Sequence, residues 1–220
     1  MEGSKVPQSK PARKQQRRSL VTQQKLLDAA IEAFSENGFK GTSTRDIAER
    51  AGVHHPLITY HFKNKDQLWR AAADRIFDEF SEELARANAE HANGDSRSRM
   101  ASMIRTYVRY AHRQPALHKV LVQEASYPNP RHDWLVETRL RPLFQPMIRD
   151  IGELQAAGIA PTGNPGLLYN MIRVCAGGLV ALAQEIKGTS DIDLNSEKAI
   201  DELAELIIRV FLPGEPQVKA

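Results

Sequence analysis

Residues 22–66 have the pattern of three short helices separated by two tight turns. Apolar residues recur at four-residue steps in the first segment, at Leu26, Ala30 and Phe34. Residues that favour helix ends or helix starts follow at the two breaks: Gly38, Thr42, Ser43 and Gly52. Two short helices that are joined through a glycine and braced by a preceding helix form a helix-turn-helix. The pattern therefore predicts a helical DNA-binding unit in this part of the chain.

The rest of the chain continues the helical pattern and shows no alternating strand pattern of useful length. Pro142 and Pro146 are expected to kink or split the segment 131–156, because proline lacks the backbone N–H that a helix interior needs. We expect a helix that begins at the cap Asn164 and ends at Gly188, and a last helix over residues 196–212. The sequence therefore predicts an all-α fold.

Positive charge is concentrated in the first third of the chain. Residues 1–65 hold 12 Lys and Arg against 6 Asp and Glu, whereas residues 66–220 hold 18 against 21. Residues 1–20 are polar and basic, and we expect them to be disordered in isolation. They are either a solvated tail or an arm that lies on the phosphate backbone of a nucleic acid. The uneven charge indicates that the N-terminal end meets a polyanion and that the remainder does something else.

Composition argues against several other classes of protein. The single cysteine, Cys175, excludes an internal disulfide and leaves no thiol partner for a metal site. No apolar run approaches the roughly 18 residues that span a bilayer, and the N-terminus lacks the apolar region of a secretory signal. The sequence shows no nucleophile–base signature, glycine-rich phosphate loop or informative pair of carboxylates. We therefore expect a cytoplasmic protein with no membrane partner, no enzymatic activity, and no metal or cofactor.

The second helix of a helix-turn-helix presents its N-terminal residues to base edges in the major groove. His54, His55 and Pro56 occupy that end of the third helical segment and are expected to contact DNA, although the histidines could also be plain exposed residues. Thr44 and Arg45 begin the preceding helix and are expected to contact phosphate or the groove. Further residues that can reach phosphates follow along the chain: Thr59, Tyr60, His61, Lys63 and Lys65.

Residues 24–68 resemble the TetR family of bacterial transcriptional regulators. The resemblance is carried by the ordered string LLDAAIEAFSENGFKGTSTRDIAERAGVHHPLITYHFKNKDQL, which begins at Leu26. Many members carry a phosphate-contacting tyrosine at the position of Thr59, whereas Tyr60 takes the following place here. The resemblance implies a repressor that binds a palindromic double-stranded operator as a homodimer and is released by a small molecule. It also implies a helix-turn-helix domain at 21–66 and a larger helical domain for ligand binding and dimerisation at 67–220.

Two helices of the larger domain are candidates for the homodimer interface. The helix over residues 164–187 is apolar nearly all round and carries a strip of small residues: Ala176, Gly177, Gly178 and Ala181. The helix over 196–212 carries an apolar stripe: Ile200, Leu203, Ile207 and Val210. These helices either pack within their own subunit or form a four-helix dimer interface. We expect the dimer, because a palindromic operator offers two half-sites.

Polar residues on apolar stripes are the candidates for a ligand site. Glu124 and Arg173 both interrupt apolar helical patterns, and charged groups are seldom buried unless they are paired. They either form an internal salt bridge, with each other or with Arg139, or orient a small molecule against nearby aromatic residues: Tyr107, Trp134, Phe144 and Tyr169. The alternative function is that of an architectural DNA-binding protein with no effector, in which the C-terminal domain has a solid core.

Overall fold

The computed structural model describes residues 10–92 and 94–214, and its regular elements are α-helices and one π-helical turn. In chain order the helices are α1 (Lys10–Gly41), α2 (Thr44–Arg50), α3 (Pro56–Phe62), α4 (Lys65–Glu90), α5 (Ser96–Arg113), α6 (Ala116–Ala125), α7 (Pro130–Leu135), α8 (Arg141–Ala156), α9 (Pro165–Ala181), α10 (Ala183–Ser190) and α11 (Glu197–Phe211). The π turn (Val136–Leu140) lies between α7 and α8. The prediction of an all-α fold is confirmed.

Contacts within the chain divide it into two units, Met1–Ala73 and Asp74–Ala220. Helix α4 contributes its first residues to the N-terminal unit and its remainder to the C-terminal unit. The boundary that we predict after residue 66 marks where α4 begins, whereas the division lies further along the same helix.

In the N-terminal unit, α1 packs against α2, and α2 packs against α3. The buried apolar residues come from all three helices: Leu26, Ala30, Phe34, Ile47, Ala48, Ile58 and Phe62. Gly38 leaves the helical conformation with φ 68°, and the Thr42 hydroxyl lies 2.9 Å from the Ala33 carbonyl and 2.8 Å from the Gly38 carbonyl. The Ser43 hydroxyl accepts a hydrogen bond from the Asp46 N–H and caps α2. The predicted breaks therefore lie where the sequence places them.

Helix α1 begins at Lys10, so residues 10–20 of the basic arm, which we predict to be disordered in isolation, continue the first helix of the N-terminal unit. These residues are rich in Lys, Arg and Gln, which have high helix propensity, and they extend the helix that Leu26 anchors in the core. Between residues 15 and 20 the side chains are exposed or half-buried, so this extension has little packing of its own. Residues 1–9 lie outside the described residues.

In the C-terminal unit, α9 is the central helix, in contact with α5, α6, α8, α10 and α11. The segment 131–156 is interrupted just before Pro142, which lies in the first turn of α8, whereas Pro146 lies inside α8 and does not split it. The π turn precedes Pro142, and the Arg141 N–H donates to the carbonyl of Val136, five residues back. Because Pro142 has no N–H to donate, the wider turn ends the first helix before the proline begins the next one.

The helix that we predict over residues 164–187 is wrong as a single element. It is divided at Leu182 into α9 and α10, which are bent by 77° from each other. Buried residues continue along α9 as far as Val180, whereas α10 has none, so no core face holds the chain straight beyond α9. Gly188 lies inside α10, which ends at Asp191 with φ 56°. Within the described residues, only this bent pair has the length and composition of a membrane span, and no single helix does.

Candidate functional site

Helix α3 has one exposed face that lies opposite its buried face. Pro56, Thr59, Tyr60 and Lys63 are exposed and follow the spacing of one helical face. Ile58 and Phe62 point the other way and are buried in the core of the N-terminal unit. The aromatic ring of Tyr60 is therefore presented to solvent although it is large and apolar, with 75% of the residue exposed. This arrangement leaves the predicted DNA-contacting residues of α3 accessible to a groove.

The starts of α2 and α3 are joined by a side-chain hydrogen bond. The Thr44 hydroxyl lies 2.9 Å from Nε2 of His55, which is the residue before α3. Between the two helices, Gly52 takes φ 63°, and the Val53 N–H donates to the Ala48 carbonyl at 3.0 Å. A side chain at Gly52 would be strained at this φ, so glycine sets the angle at which α3 is presented. The hydrogen bond to Thr44 therefore holds the imidazole of His55 at the N-terminal end of α3, the end that is expected to contact base edges.

The remaining predicted DNA contacts fall into two groups. Arg45 and His54 are exposed, as a contact with DNA requires. His61 is half-buried, its ring lies edge-on to that of Tyr60 at 4.9 Å, and burial lowers the pKa of its imidazole. Lys65 is also half-buried, with Nζ 4.4 Å from the centroid of the Phe39 ring. His61 and Lys65 are thus held closer to the protein than the residues of the exposed face.

Helix α2 is tied to α1 by an ion pair. The Arg50 guanidinium pairs with Glu36 of α1 at 2.8 Å and with Asp46 of its own helix at 3.3 Å. Exposed ion pairs of this kind contribute little stability. Together with the Ser43 cap they hold a seven-residue helix that is too short to be stable alone.

Four of the predicted ligand residues come together inside the C-terminal unit. The rings of Phe144 and Tyr169 lie 5.2 Å apart, and the Arg173 guanidinium lies 5.8 Å from the Phe144 ring centroid. Tyr107 is buried, and burial raises the pKa of its phenol to about 12, while nearby Arg173 acts in the opposite direction. Burial also raises the pKa of Tyr169. The structure thus places a half-buried cation among three aromatic residues of the C-terminal unit.

The other three predicted ligand residues are placed differently. Glu124 is buried and pairs with Arg131: Nε donates to Oε1 at 3.2 Å, and Nη2 lies 3.1 Å from Oε2 without hydrogen-bond alignment. Arg139, in the π turn, pairs with Asp74 and Asp78 of α4, with Nε 2.7 Å from Asp74 Oδ1. Trp134 is half-buried in α7. Internal ion pairs are therefore formed, although with partners other than those that we expect from the sequence, and the ligand roles of these residues stay predictions.

His118 belongs to the buried cluster but is missed by the sequence reasoning. It lies on α6, is buried, and burial lowers the pKa of its imidazole, with the Arg173 charge as a second cause. A Cβ added to Gly177 of α9 would lie 2.7 Å from His118 Nδ1 and 3.3 Å from the Tyr107 hydroxyl. The signal in the sequence is a polar residue beside the apolar stripe of α6, the same signal that singles out Glu124.

The C-terminal unit also has an open groove of about 240 Å³ away from the predicted ligand residues. It is lined by residues of α5 and α11, among them the ion pair of Arg109 with Asp201. None of the predicted ligand residues lines this groove. Within residues 10–92 and 94–214, no cluster of three or more His, Cys, Asp or Glu side chains has the geometry to hold a metal ion.

Comparison with known proteins finds a family match within the N-terminal unit of this chain. Residues 26–72 match the family model described as bacterial regulatory proteins, tetR family. The chain is 26% identical over 105 residues to the "Probable HTH-type transcriptional regulator YttP" of Bacillus subtilis, covering 48% of this chain and 51% of that protein. It is 30% identical over 90 residues to the tetracycline repressor protein class D of Escherichia coli, covering 41% of each. The chain thus spans about half the length or less of these two curated relatives.

A solved structure extends the likeness to most of the chain. AibR, in complex with isovaleryl coenzyme A and operator DNA, has a TM-score of 0.70 and 15% sequence identity, covering 87% of this chain and 98% of that chain. At this identity the likeness concerns the fold.

Proposed function

We propose that this chain is a transcriptional repressor of the tetR family of bacterial regulatory proteins, since its residues 26–72 match the model of that family. It binds a palindromic operator as a homodimer and leaves the operator when a small molecule binds to the C-terminal unit. The observation that carries the proposal is the exposed face of α3, with His55 oriented by Thr44 at its start. A recognition helix needs such a face above a buried one.

The homodimer is supported by exposed apolar residues on two helices that contact each other. Three residues of α9 and two of α11 form what we call the apolar face: Leu167, Met171, Val174, Leu206 and Val210. Contiguous exposed apolar surface is typical of interaction sites. The predicted residues Ile200, Leu203 and Ile207 instead pack within the subunit, and of the predicted α11 stripe only Val210 is exposed. We propose that a second copy of this chain covers the apolar face, which brings two α3 helices to two half-sites.

Release by a ligand is supported by the continuity of α4. Its first residues belong to the N-terminal unit, and its residues Asp74 and Asp78 are held by Arg139 of the π turn. We propose that a ligand in the C-terminal unit prefers one position of α4 and so changes the spacing of the two α3 helices. AibR, whose structure holds both isovaleryl coenzyme A and operator DNA, is an example of this fold with both kinds of ligand.

The test of DNA readout begins with selection of a binding sequence from a pool of random duplexes. Affinity for the selected duplex and for random DNA is then measured at fixed salt for variants of the full chain. We expect His55→Ala to lower affinity for the selected duplex about tenfold, because a lost base contact costs about 1–3 kcal/mol, with little change for random DNA.

Two further variants serve as controls for this test. Lys63→Ala should weaken binding to both DNAs by similar factors, since a phosphate contact carries no sequence information. Lys119→Ala, an exposed lysine of α6 in the C-terminal unit, should change neither affinity. Equal losses on both DNAs for His55→Ala would refute base readout by this residue.

The architectural alternative requires that no small molecule binds in the C-terminal unit. It is compatible with the open groove beside α5 and α11, which involves none of the predicted ligand residues. An architectural protein would bind random and selected duplexes with similar affinity, and no small molecule would release it. Tighter binding of the selected duplex than of random DNA by the wild-type chain would therefore support the repressor and contradict the architectural function.

A further inference from the structure

Four buried side-chain atoms among the described residues of the C-terminal unit have no well-aligned hydrogen-bond partner, and two of them face the same helix. These two are the hydroxyl of Tyr107 on α5 and Nδ1 of His118 on α6. Both residues are more than nine-tenths buried, with 8% and 6% of their surface exposed. A buried polar group without a partner costs about 1–3 kcal/mol, so each such group calls for an explanation, and a bound ligand, ion or water is one.

The two atoms approach the same point on α9. That point is the position of the missing side chain of Gly177, which a Cβ could not occupy without displacing His118. Gly178 follows, and a Cβ there would be in ordinary contact with the same imidazole. Two consecutive glycines inside a helix cost about 1 kcal/mol each relative to alanine. Their presence keeps α9 narrow where Tyr107 and His118 face it.

Arg173, one turn earlier on α9, brings a positive charge to this place. No carboxylate among the described residues lies within ion-pair distance of its guanidinium, which makes long hydrogen bonds of 3.2 and 3.3 Å to Asn170 Oδ1. Arg173 acts on both neighbours: its charge and a hydrogen-bond contact of poor alignment oppose the rise in the pKa of Tyr107, and its charge adds to the fall in that of His118. The half-buried cation is therefore close to both buried atoms and lacks an anion.

We propose that Tyr107, His118 and Arg173 bind the carboxylate of a small organic acid whose apolar body lies against Phe144 and Tyr169. The inference rests on the proposed function, in which a small molecule binds the C-terminal unit. A phenol O–H, an imidazole N–H and a guanidinium are all donors to a carboxylate. The aromatic rings at 5.2 Å from each other supply the apolar surface that most ligand sites contain.

Charge selects a carboxylate over the other anions of small metabolites. The cluster contains one cation, Arg173, and an imidazole that burial keeps towards its neutral form. One negative charge balances this set, whereas a phosphate dianion would leave excess charge in a buried place. A neutral amide would occupy the same space but would leave the guanidinium without a counter-charge.

The experiment measures binding of matched probes to the full chain without DNA, by isothermal titration calorimetry. The probes are hexanoate, octanoate and 4-phenylbutyrate, the primary amide of each, and hexyl phosphate. We expect at least one carboxylate to bind at least tenfold more tightly than its amide and than the phosphate ester. Arg173→Gln and Tyr107→Phe should each reduce that affinity at least tenfold, whereas Tyr127→Phe, at an exposed tyrosine, should not change it.

Thermal unfolding separates a binding role from a structural one. Tyr107→Phe removes a buried hydroxyl that has no partner, so the melting temperature should be unchanged or higher. A large fall in melting temperature would show that the hydroxyl has a structural partner and would overturn the proposal. Equal affinities for carboxylate and amide, tighter binding of hexyl phosphate, or no binding by any carboxylate would also overturn it.

Operator release is measured separately, so the two proposals fail in different ways. A carboxylate that binds through Arg173 but leaves the operator complex intact supports the site and contradicts release by this ligand. A different small molecule that releases the operator while no carboxylate binds supports the proposed function and overturns the carboxylate site.

Discussion

Glu124 and Arg131 form a deeply buried ion pair, with side chains 4% and 11% exposed. Removal of one partner from such a pair leaves the other charge buried and uncompensated. We expect Glu124→Gln to lower the free energy of unfolding by about 3 kcal/mol. Urea denaturation of the full chain measures this change.

The pair of Glu137 with Arg141 provides the matched control. It joins the same kinds of side chain within one helical segment, but both are about 60% exposed. Exposed pairs contribute about 0–1 kcal/mol, so Glu137→Gln should change the free energy of unfolding by about 0.5 kcal/mol or less. Similar losses for the two variants would contradict the burial argument.

At the scale of the helix, local signals in the sequence predict the helix starts well. Ser43, Asn164 and Ser196 all cap helices with their side chains as the sequence indicates. Each cap depends on residues two or three positions away, so the information is local. The bend at Leu182 is not predicted, because it depends on where the buried face of α9 ends in the folded core.

Partners that are distant in sequence explain the rest of the candidate site. Arg139 finds Asp74 and Asp78 more than 60 residues away, and His118 faces Gly177 across the core. Periodicity identifies which residues are polar on an apolar face but not which helix they meet. For α3 the sequence pattern is enough to predict which residues are exposed, because its buried and exposed faces are both formed within one helix of seven residues.

The basic extension of α1 leads to a prediction for the element as a whole. Residues 1–18 contain six Lys and Arg, and their helical part begins at Lys10. If this segment contacts phosphates, its deletion should weaken binding to all DNA and reduce the slope of log affinity against log salt by about 0.9 for each lost contact. Fluorescence anisotropy at several salt concentrations measures the slope. An unchanged slope would identify the segment as a passive tail.

The whole molecule is expected to act only as a dimer, and the apolar face provides the test. Val174 and Val210 are 52% and 55% exposed on α9 and α11. Val174→Asp should raise the dimer dissociation constant at least about tenfold, because two-fold symmetry buries two new carboxylates at once. Analytical ultracentrifugation measures the dissociation constant. Operator affinity should fall in parallel, since two half-sites are read together.

Val122→Asp is the control for this substitution. Val122 is 53% exposed on α6, outside the apolar face, so the same change there should leave the dimer intact. A monomeric wild-type chain, or equal dissociation by both variants, would contradict the proposed interface.

The π turn at residues 136–140 has a consequence for chain length. A π turn holds one residue more than the α-helical turn that it replaces. Because the wider turn and an ordinary α-helical turn both go once round the axis, deletion of one residue there should restore a regular α-helix across 130–156 with the flanking side chains close to their present orientation. Leu135 on one side and Ile151 and Leu154 on the other, all fully buried, would then still reach the core. The extra residue of the π turn is therefore one that the packing of this segment does not require.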